Sequence, residues 1–236
     1  MTDTLKIGPY SFESRFILGS GKKAEYSERL INAAVKHAGV EMISVVIKKL
    51  EEDKTVLSYI PEGVKVLPNT LGARNADEAV ELAHISRDMG FGDMIKIEIM
   101  TDSRYFLPST PDTIAATRIL VEEGFIVLPY IYPEISAAKT LVDVGAAAIM
   151  PLASPSGSSK GLATRDFIKM LIDQLDVPII VDAGIGKPSH ACEAMELGAS
   201  AVMMNTALAM ADNIDIVAEA FKKAIEAGRM SYLAGH

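Results

Sequence analysis

The sequence predicts an α/β protein, a parallel eight-stranded (β/α)8 barrel of the TIM-barrel class, on three observations. Short apolar β-rich runs alternate with amphipathic helical runs along the whole chain, the pattern of repeated βα units rather than of two unlike domains. Glycine follows the helical runs at Gly39, Gly90, Gly124, Gly145 and Gly198, each just ahead of the next strand, where a left-handed C-terminal cap is needed. A length of 236 residues, 49% of them hydrophobic and with no Pro- or Ser-rich linker, fits a single domain over residues 1–236 with a full core. An open doubly wound sheet is the second arrangement that the alternation allows.

The elements follow in order. Within residues 1–14, Leu5-Lys6-Ile7-Gly8-Pro9-Tyr10-Ser11-Phe12 reads as a small β-hairpin with a Gly-Pro turn, expected to close the amino-terminal end of the barrel. Strand runs come at 16–19, 42–47, 65–68, 94–100, 126–130, 147–152, 178–183 and 201–205. They are short and largely apolar, as strands covered on both faces must be. Helical periodicity lies between them, as at 26–37, 76–89, 111–123, 134–144, 164–174 and 189–197.

Composition removes whole classes of function. The formal charge of −8, with no Lys/Arg-rich stripe, argues against a nucleic-acid partner, since counterion release needs clustered positive charge. No apolar run approaches the roughly 18 residues of a membrane span, so no membrane partner and a soluble, cytoplasmic protein are expected. The single cysteine, Cys192, cannot make an internal disulfide and sits at helical spacing, where it reads as a packing residue. His37, His84 and His190 fall on helical runs and His236 is terminal. None has metal-ligand spacing, so neither a metal site nor a cofactor is expected.

The chemistry is concentrated at the carboxyl ends of the strands, where barrels of this class carry it. In Met94-Ile95-Lys96-Ile97-Glu98-Ile99-Met100, strict alternation puts Lys96 and Glu98 on one face of the fourth strand and the isoleucines on the other. An ammonium and a carboxylate there form a structural ion pair, lie on a strand edge open to water, or mark a reactive amine in a closed interior. Desolvation would lower the lysine pKa and free the amine for Schiff-base formation. The seventh strand ends in Asp182, followed by Ala183-Gly184-Ile185-Gly186, and Pro188 and Ser189 then open a helix. Asp182 either supplies a carboxylate at the mouth or caps that helix. Gly184, Ile185, Gly186 and Ser189, with Asn205 and Thr206 at the end of the eighth strand, form a candidate phosphate site, because glycine amides and helix N-termini suit an anion. The sixth loop, residues 153–162, is long, small and polar. It reads as a mobile lid or docking loop, with its Gly157 counted among the phosphate contacts.

At this point the chain resembles a known family, the thiazole synthases of bacterial thiamine biosynthesis (ThiG). The resemblance runs over nearly the whole length. It is carried by Phe16-Ile17-Leu18-Gly19-Ser20-Gly21-Lys22, Leu67-Pro68-Asn69-Thr70-Leu71-Gly72-Ala73, Ile95-Lys96-Ile97-Glu98, Arg104-Tyr105-Phe106-Leu107-Pro108 and Val127-Leu128-Pro129-Tyr130. It continues through Ala148-Ile149-Met150-Pro151-Leu152, the stretch from Val181 to Ala191, and Asn205-Thr206-Ala207. The resemblance implies a barrel that condenses 1-deoxy-D-xylulose 5-phosphate, dehydroglycine and sulfur delivered as a thiocarboxylate on the carrier protein ThiS. It also implies a homo-oligomer, a tetramer or a dimer. Lys96 would form the imine with the substrate ketone, Glu98 and Asp182 would move the protons, and the segment from Gly184 to Ser189 with Asn205 and Thr206 would anchor the phosphate.

Departures from the family pattern fall outside the imine and phosphate residues. Ile131-Tyr132-Pro133-Glu134 stands where many members carry a cysteine or an Asn/Asp-Asp-Pro run, and Ala153 and Ser159 stand where glycine, and asparagine or glycine, are frequent. Two other readings use the same parts. Another Schiff-base phosphosugar aldolase or isomerase would turn over without a sulfur donor, and a non-catalytic phosphate-binding barrel would form no imine.

Overall fold

The computed structural model describes residues 3–19, 28–52, 54–100 and 107–235. Strands β1 (Leu5–Ile7) and β2 (Tyr10–Phe12) form the antiparallel hairpin, with Leu5 opposite Phe12 and the turn made by Gly8 at φ +55°. The barrel strands are β3 (Phe16–Leu18), β4 (Met42–Val46), β5 (Lys65–Asn69), β6 (Met94–Ile97), β7 (Ile126–Ile131), β8 (Met150–Pro151), β9 (Ile180–Asp182) and β10 (Ala201–Met204). All pair in parallel, in the order β8-β7-β6-β5-β4-β3-β10-β9. Bridges Ile149–Ile179 and Leu152–Asp182 join the two ends and close the ring.

Helices return the chain between strands: α1 (Glu28–Ala38), α2 (Ile47–Glu52), α3 (Ala76–Asp88), α4 (Thr110–Glu122), α5 (Ile135–Asp143), α6 (Arg165–Gln174) and α7 (Pro188–Glu196). The short α8 (Thr206–Ala209) follows β10, and α9 (Ile214–Leu233) runs back down the outside. The connection after β4 also holds a single 3-10 turn, Thr55–Tyr59. The start of the helix expected at 26–37 and the motif residues 20–22 and 104–106 lie outside the described residues. All five glycines read as helix terminators have positive φ, from +67° at Gly39 to +102° at Gly198.

Two layers account for the burial. Inside the ring, Ile17, Met42, Leu67, Met94, Leu128, Met150, Ile180, Ala201 and Met203 pack together, and Leu5, Ile7 and Phe12 of the hairpin join the same cluster. Outside, Ile95, Ile97 and Ile99 pack with Leu82 and Leu120 of α3 and α4. The alternation read in the fourth strand is therefore real: the isoleucines face the helices, and Lys96 and Glu98 face the interior. The strand expected over 94–100 is interrupted at Glu98. Its amide is taken by Thr70 Oγ1 at 2.9 Å, and the ladder resumes with the Ala73–Ile99 bridge. A side-chain hydroxyl thus replaces one rung of the ladder.

Candidate active site

Lys96 is the centre of the site. β6 carries it into the ring one step above Met94, and its Nζ lies 2.6 Å from Asp182 Oδ2 and 2.8 Å from Glu98 Oε2. The three side chains are almost closed to solvent, at 3%, 7% and 7% exposure for Lys96, Glu98 and Asp182. Burial alone would lower the Lys96 pKa, but the charges of Asp182 and Glu98 outweigh it and move it above its ordinary value. This reverses the expectation of a lysine depressed by desolvation: between its two carboxylates the amine is held as an ammonium. Burial pushes the Asp182 carboxyl upward, although Lys96 opposes the shift, with Glu98 reinforcing it. Two buried carboxylates around one cation leave an excess negative charge, and that excess raises the affinity of Asp182 for a proton.

Each carboxylate is fixed by a neighbouring strand. Asn69, at the end of β5, donates from Nδ2 to Glu98 Oε2 at 2.7 Å while its Oδ1 accepts from the Leu71 amide at 2.8 Å. Asp182 Oδ1 accepts from the Ala183 amide at 2.7 Å, and Ala183 is held at φ +62°. Tyr130, at the end of β7, places its ring 5.0 Å from Lys96 Nζ, and its buried hydroxyl makes no hydrogen bond among the described residues.

A cavity opens from this triad toward the loops after β8, β9 and β10. It is lined by Lys96, Glu98 and Asp182 and also by Gly157, Gly184, Ile185, Asn205 and Thr206. The arrangement thus gathers eight of the ten sequence-derived site residues around one space. Gly186 and Ser189 stand apart: the Gly186 amide donates to His190 Nδ1 at 3.2 Å, and Ser189 is exposed on the first turn of α7. Asn205 donates from Nδ2 to the Gly19 carbonyl at 2.7 Å, which leaves its Oδ1 as a buried acceptor with no donor among the described residues.

The sixth loop is seated rather than splayed. Gly161 N donates to Gly184 O at 2.9 Å, Thr164 Oγ1 to Leu152 O at 2.6 Å, and the Ser154 and Ser158 hydroxyls meet at 3.1 Å. A Cβ on Gly184 would overlap Ser154 Oγ, and one on Gly186 would lie 2.7 Å from Ser159 Cα. These glycines therefore serve the packing of one loop on another as much as any anion.

Sequence reasoning missed Asn69, Tyr130 and the lining contributed by Met203 and Met204. The signal was present for Tyr130 and Asn69, which end their strands in phase with Leu128 and Leu67 on the inward face. The methionines read as core filler, and they are buried core that also floors the cavity.

The family model described as "Thiazole biosynthesis protein ThiG" matches residues 6–236. The chain belongs to the ThiG family. It is 57% identical over 235 residues to a thiazole synthase of Clostridium beijerinckii, covering 99% of this chain and 91% of that protein. A thiazole synthase of Fusobacterium nucleatum is 54% identical over 236 residues, with 99% and 91% covered. Among solved structures, the Amycolatopsis orientalis BexX/CysO complex superposes with a TM-score of 0.83 at 32% identity, over 98% of this chain and 96% of that one. Membership of the ThiG family makes the chain an enzyme, a thiazole synthase acting in thiamine biosynthesis. Among the described residues no helix is long and apolar enough to cross a membrane.

Proposed function

We propose that this ThiG-family enzyme condenses 1-deoxy-D-xylulose 5-phosphate with dehydroglycine and with sulfur carried as the ThiS thiocarboxylate, through an imine between Lys96 and the pentulose ketone. The observation that carries the reading is the Lys96 ammonium held between Asp182 and Glu98 at 2.6 and 2.8 Å, on the wall of a cavity that Gly184, Ile185 and Thr206 also line. A structural ion pair needs one carboxylate, whereas proton traffic needs two in different states.

In this mechanism Lys96 passes its proton to Asp182, the carboxylate whose proton affinity burial has raised. The free amine adds to the ketone carbon, and the carbinolamine loses water with the proton returned from Asp182. Glu98 then takes a proton from the adjacent carbon, so that the imine becomes an enaminol and the carbonyl can move one carbon along. The phosphate rests on the amides of the loop after β9 and the first turn of α8, which have no helical acceptor. Binding energy at that end holds the ketone against Lys96. The Asn205 side chain, with its donor spent on Gly19, accepts from a substrate hydroxyl instead of touching the phosphate. A sulfur-carrier partner is supported by the likeness to BexX, which was solved with CysO.

The test is borohydride reduction of the purified protein with 1-deoxy-D-xylulose 5-phosphate, followed by intact mass and peptide mapping. A stable adduct on Lys96, absent from Lys96→Ala, is expected. No adduct at any pH between about 6 and 9 removes the imine mechanism.

A further inference from the structure

Tyr130 carries a feature that ion-pair chemistry does not use. Its side chain is 1% exposed, its hydroxyl finds no partner among the described residues, and it lines the same cavity as Lys96, Glu98 and Asp182. Leaving a buried hydroxyl unpaired costs roughly 1–3 kcal/mol, and phenylalanine would fill the same space without that cost. A hydroxyl kept at such a place is accounted for by a partner that arrives from outside. Resting on the imine mechanism, we infer that Tyr130 is a further catalytic residue whose O–H donates to the oxygen on the carbon that Lys96 attacks.

The chemistry of the neighbours assigns the role. Glu98 and Asp182 accept hydrogen bonds when ionised, and Lys96 becomes the nucleophile once it has given up its proton. Met203 and Met204 are apolar. Asp182 becomes a donor once it has taken the Lys96 proton, but it gives that proton up to the leaving oxygen; on the strand wall of the cavity the phenol is the donor that keeps its proton through addition and loss of water. As the amine nitrogen bonds to the carbonyl carbon, the C=O π pair moves onto oxygen, and a donor already aimed there stabilises the developing charge. The oxygen then takes the proton held by Asp182 and a second one from the attacking nitrogen, and it leaves as water as the nitrogen lone pair closes the C=N bond, so the phenol keeps its own proton throughout. It is suited to that part: burial, followed by the charges of Asp182 and Glu98, raises its pKa well above the ordinary value, which makes it a donor and not a base.

The experiment compares the parent enzyme with Tyr130→Phe. The rate of borohydride-trapped adduct formation with 1-deoxy-D-xylulose 5-phosphate is measured at saturating and limiting substrate, and thermal unfolding is measured without substrate. The expected result is a fall of about 10²-fold in the maximal trapping rate with half-saturation changed by less than about threefold and an unfolding temperature equal to or above that of the parent. A trapping rate in Tyr130→Phe within about twofold of the parent overturns the inference and leaves the imine mechanism standing. A lower unfolding temperature in the empty variant also overturns it, because the hydroxyl would then have an internal partner. No adduct in the parent overturns both.

Discussion

Lys96 is stabilised by its partners and not by its surroundings. With one cation and two carboxylates at 3–7% exposure, the triad is worth having only as a complete set, since removing one member leaves uncompensated buried charge. Lys96→Ala should therefore destabilise the fold by about 3–5 kcal/mol near neutral pH. The sign of its pH dependence follows from linkage. The folded-state pKa of Lys96 is raised, so its contribution is fully present below its ordinary 10.5 and is lost only as pH rises through the higher folded value. In the variant Asp182 loses the Lys96 charge that opposes its upward shift, so it binds a proton more readily folded than unfolded and the stability falls as pH rises from about 5 to 8. Denaturant titrations of parent and variant at those two pH values should show the gap widening toward pH 8. An equal gap, or a wider one at pH 5, would mean that Asp182 is not electrostatically tied to Lys96. Much of this site is legible in the sequence, because period-two alternation fixes the face of Lys96 and Glu98, and the end of a parallel strand fixes Asp182. The direction of the Lys96 pKa was not legible. It depends on Asp182 reaching across the ring from β9, a contact that no spacing within β6 encodes.

The loops after β8 and β9 act as one element. Gly184 and Gly186 take Ser154 and Ser159 of the sixth loop directly against their backbone, and Gly161 adds the hydrogen bond to Gly184 O. A sequence shows glycines near a phosphate-binding position and offers the anion as the reason. It cannot show that a second loop, the one after β8, occupies the space where a Cβ would stand. The departure at Ser159 becomes intelligible in the same way: this residue sits at φ +55°, where glycine or asparagine is the low-strain choice and other residues incur roughly 1–2 kcal/mol. Gly186→Ala is the cleanest probe, because its φ is not positive and the substitution acts by steric contact alone, with the added Cβ 2.8 Å from Ser159 O. The sixth loop should lift, with a stability loss of about 1–3 kcal/mol and faster proteolytic cleavage between residues 155 and 160. Half-saturation for the phosphorylated substrate should rise while the Lys96 adduct still forms. Unchanged cleavage and half-saturation would show that the loop yields without cost.

At the scale of the whole molecule, the two ends of the barrel do different work. The mouth collects Lys96, Glu98 and Asp182, and the opposite end is fastened by a small ionic knot. Arg15, just ahead of β3, donates to Ser200 O at 2.6 Å and pairs with Asp3 at 2.8 Å, while Arg229 of α9 grips both Asp3 oxygens at 2.8 Å. One carboxylate ahead of the hairpin thus ties the first barrel strand to the last helix. Arg229, followed by the Arg15 charge, holds the Asp3 pKa below its ordinary 3.8 although burial opposes the shift. Asp3→Asn should lower stability by only about 1 kcal/mol, since Asp3 is 36% exposed and solvent screens the pair. A depressed carboxylate pKa contributes stability that is fully present above about pH 4 and is lost as pH falls through the folded value. The difference in unfolding free energy between parent and Asp3→Asn should therefore be constant from pH 5 to 7 and close on acidification. Because the knot lies at the end of the barrel away from the mouth, the rate of Lys96 adduct formation should not change. A slower adduct at unchanged stability would show that the closing end communicates with the site through the strands, and the separation of a fastening end from a chemical end would fail for this barrel.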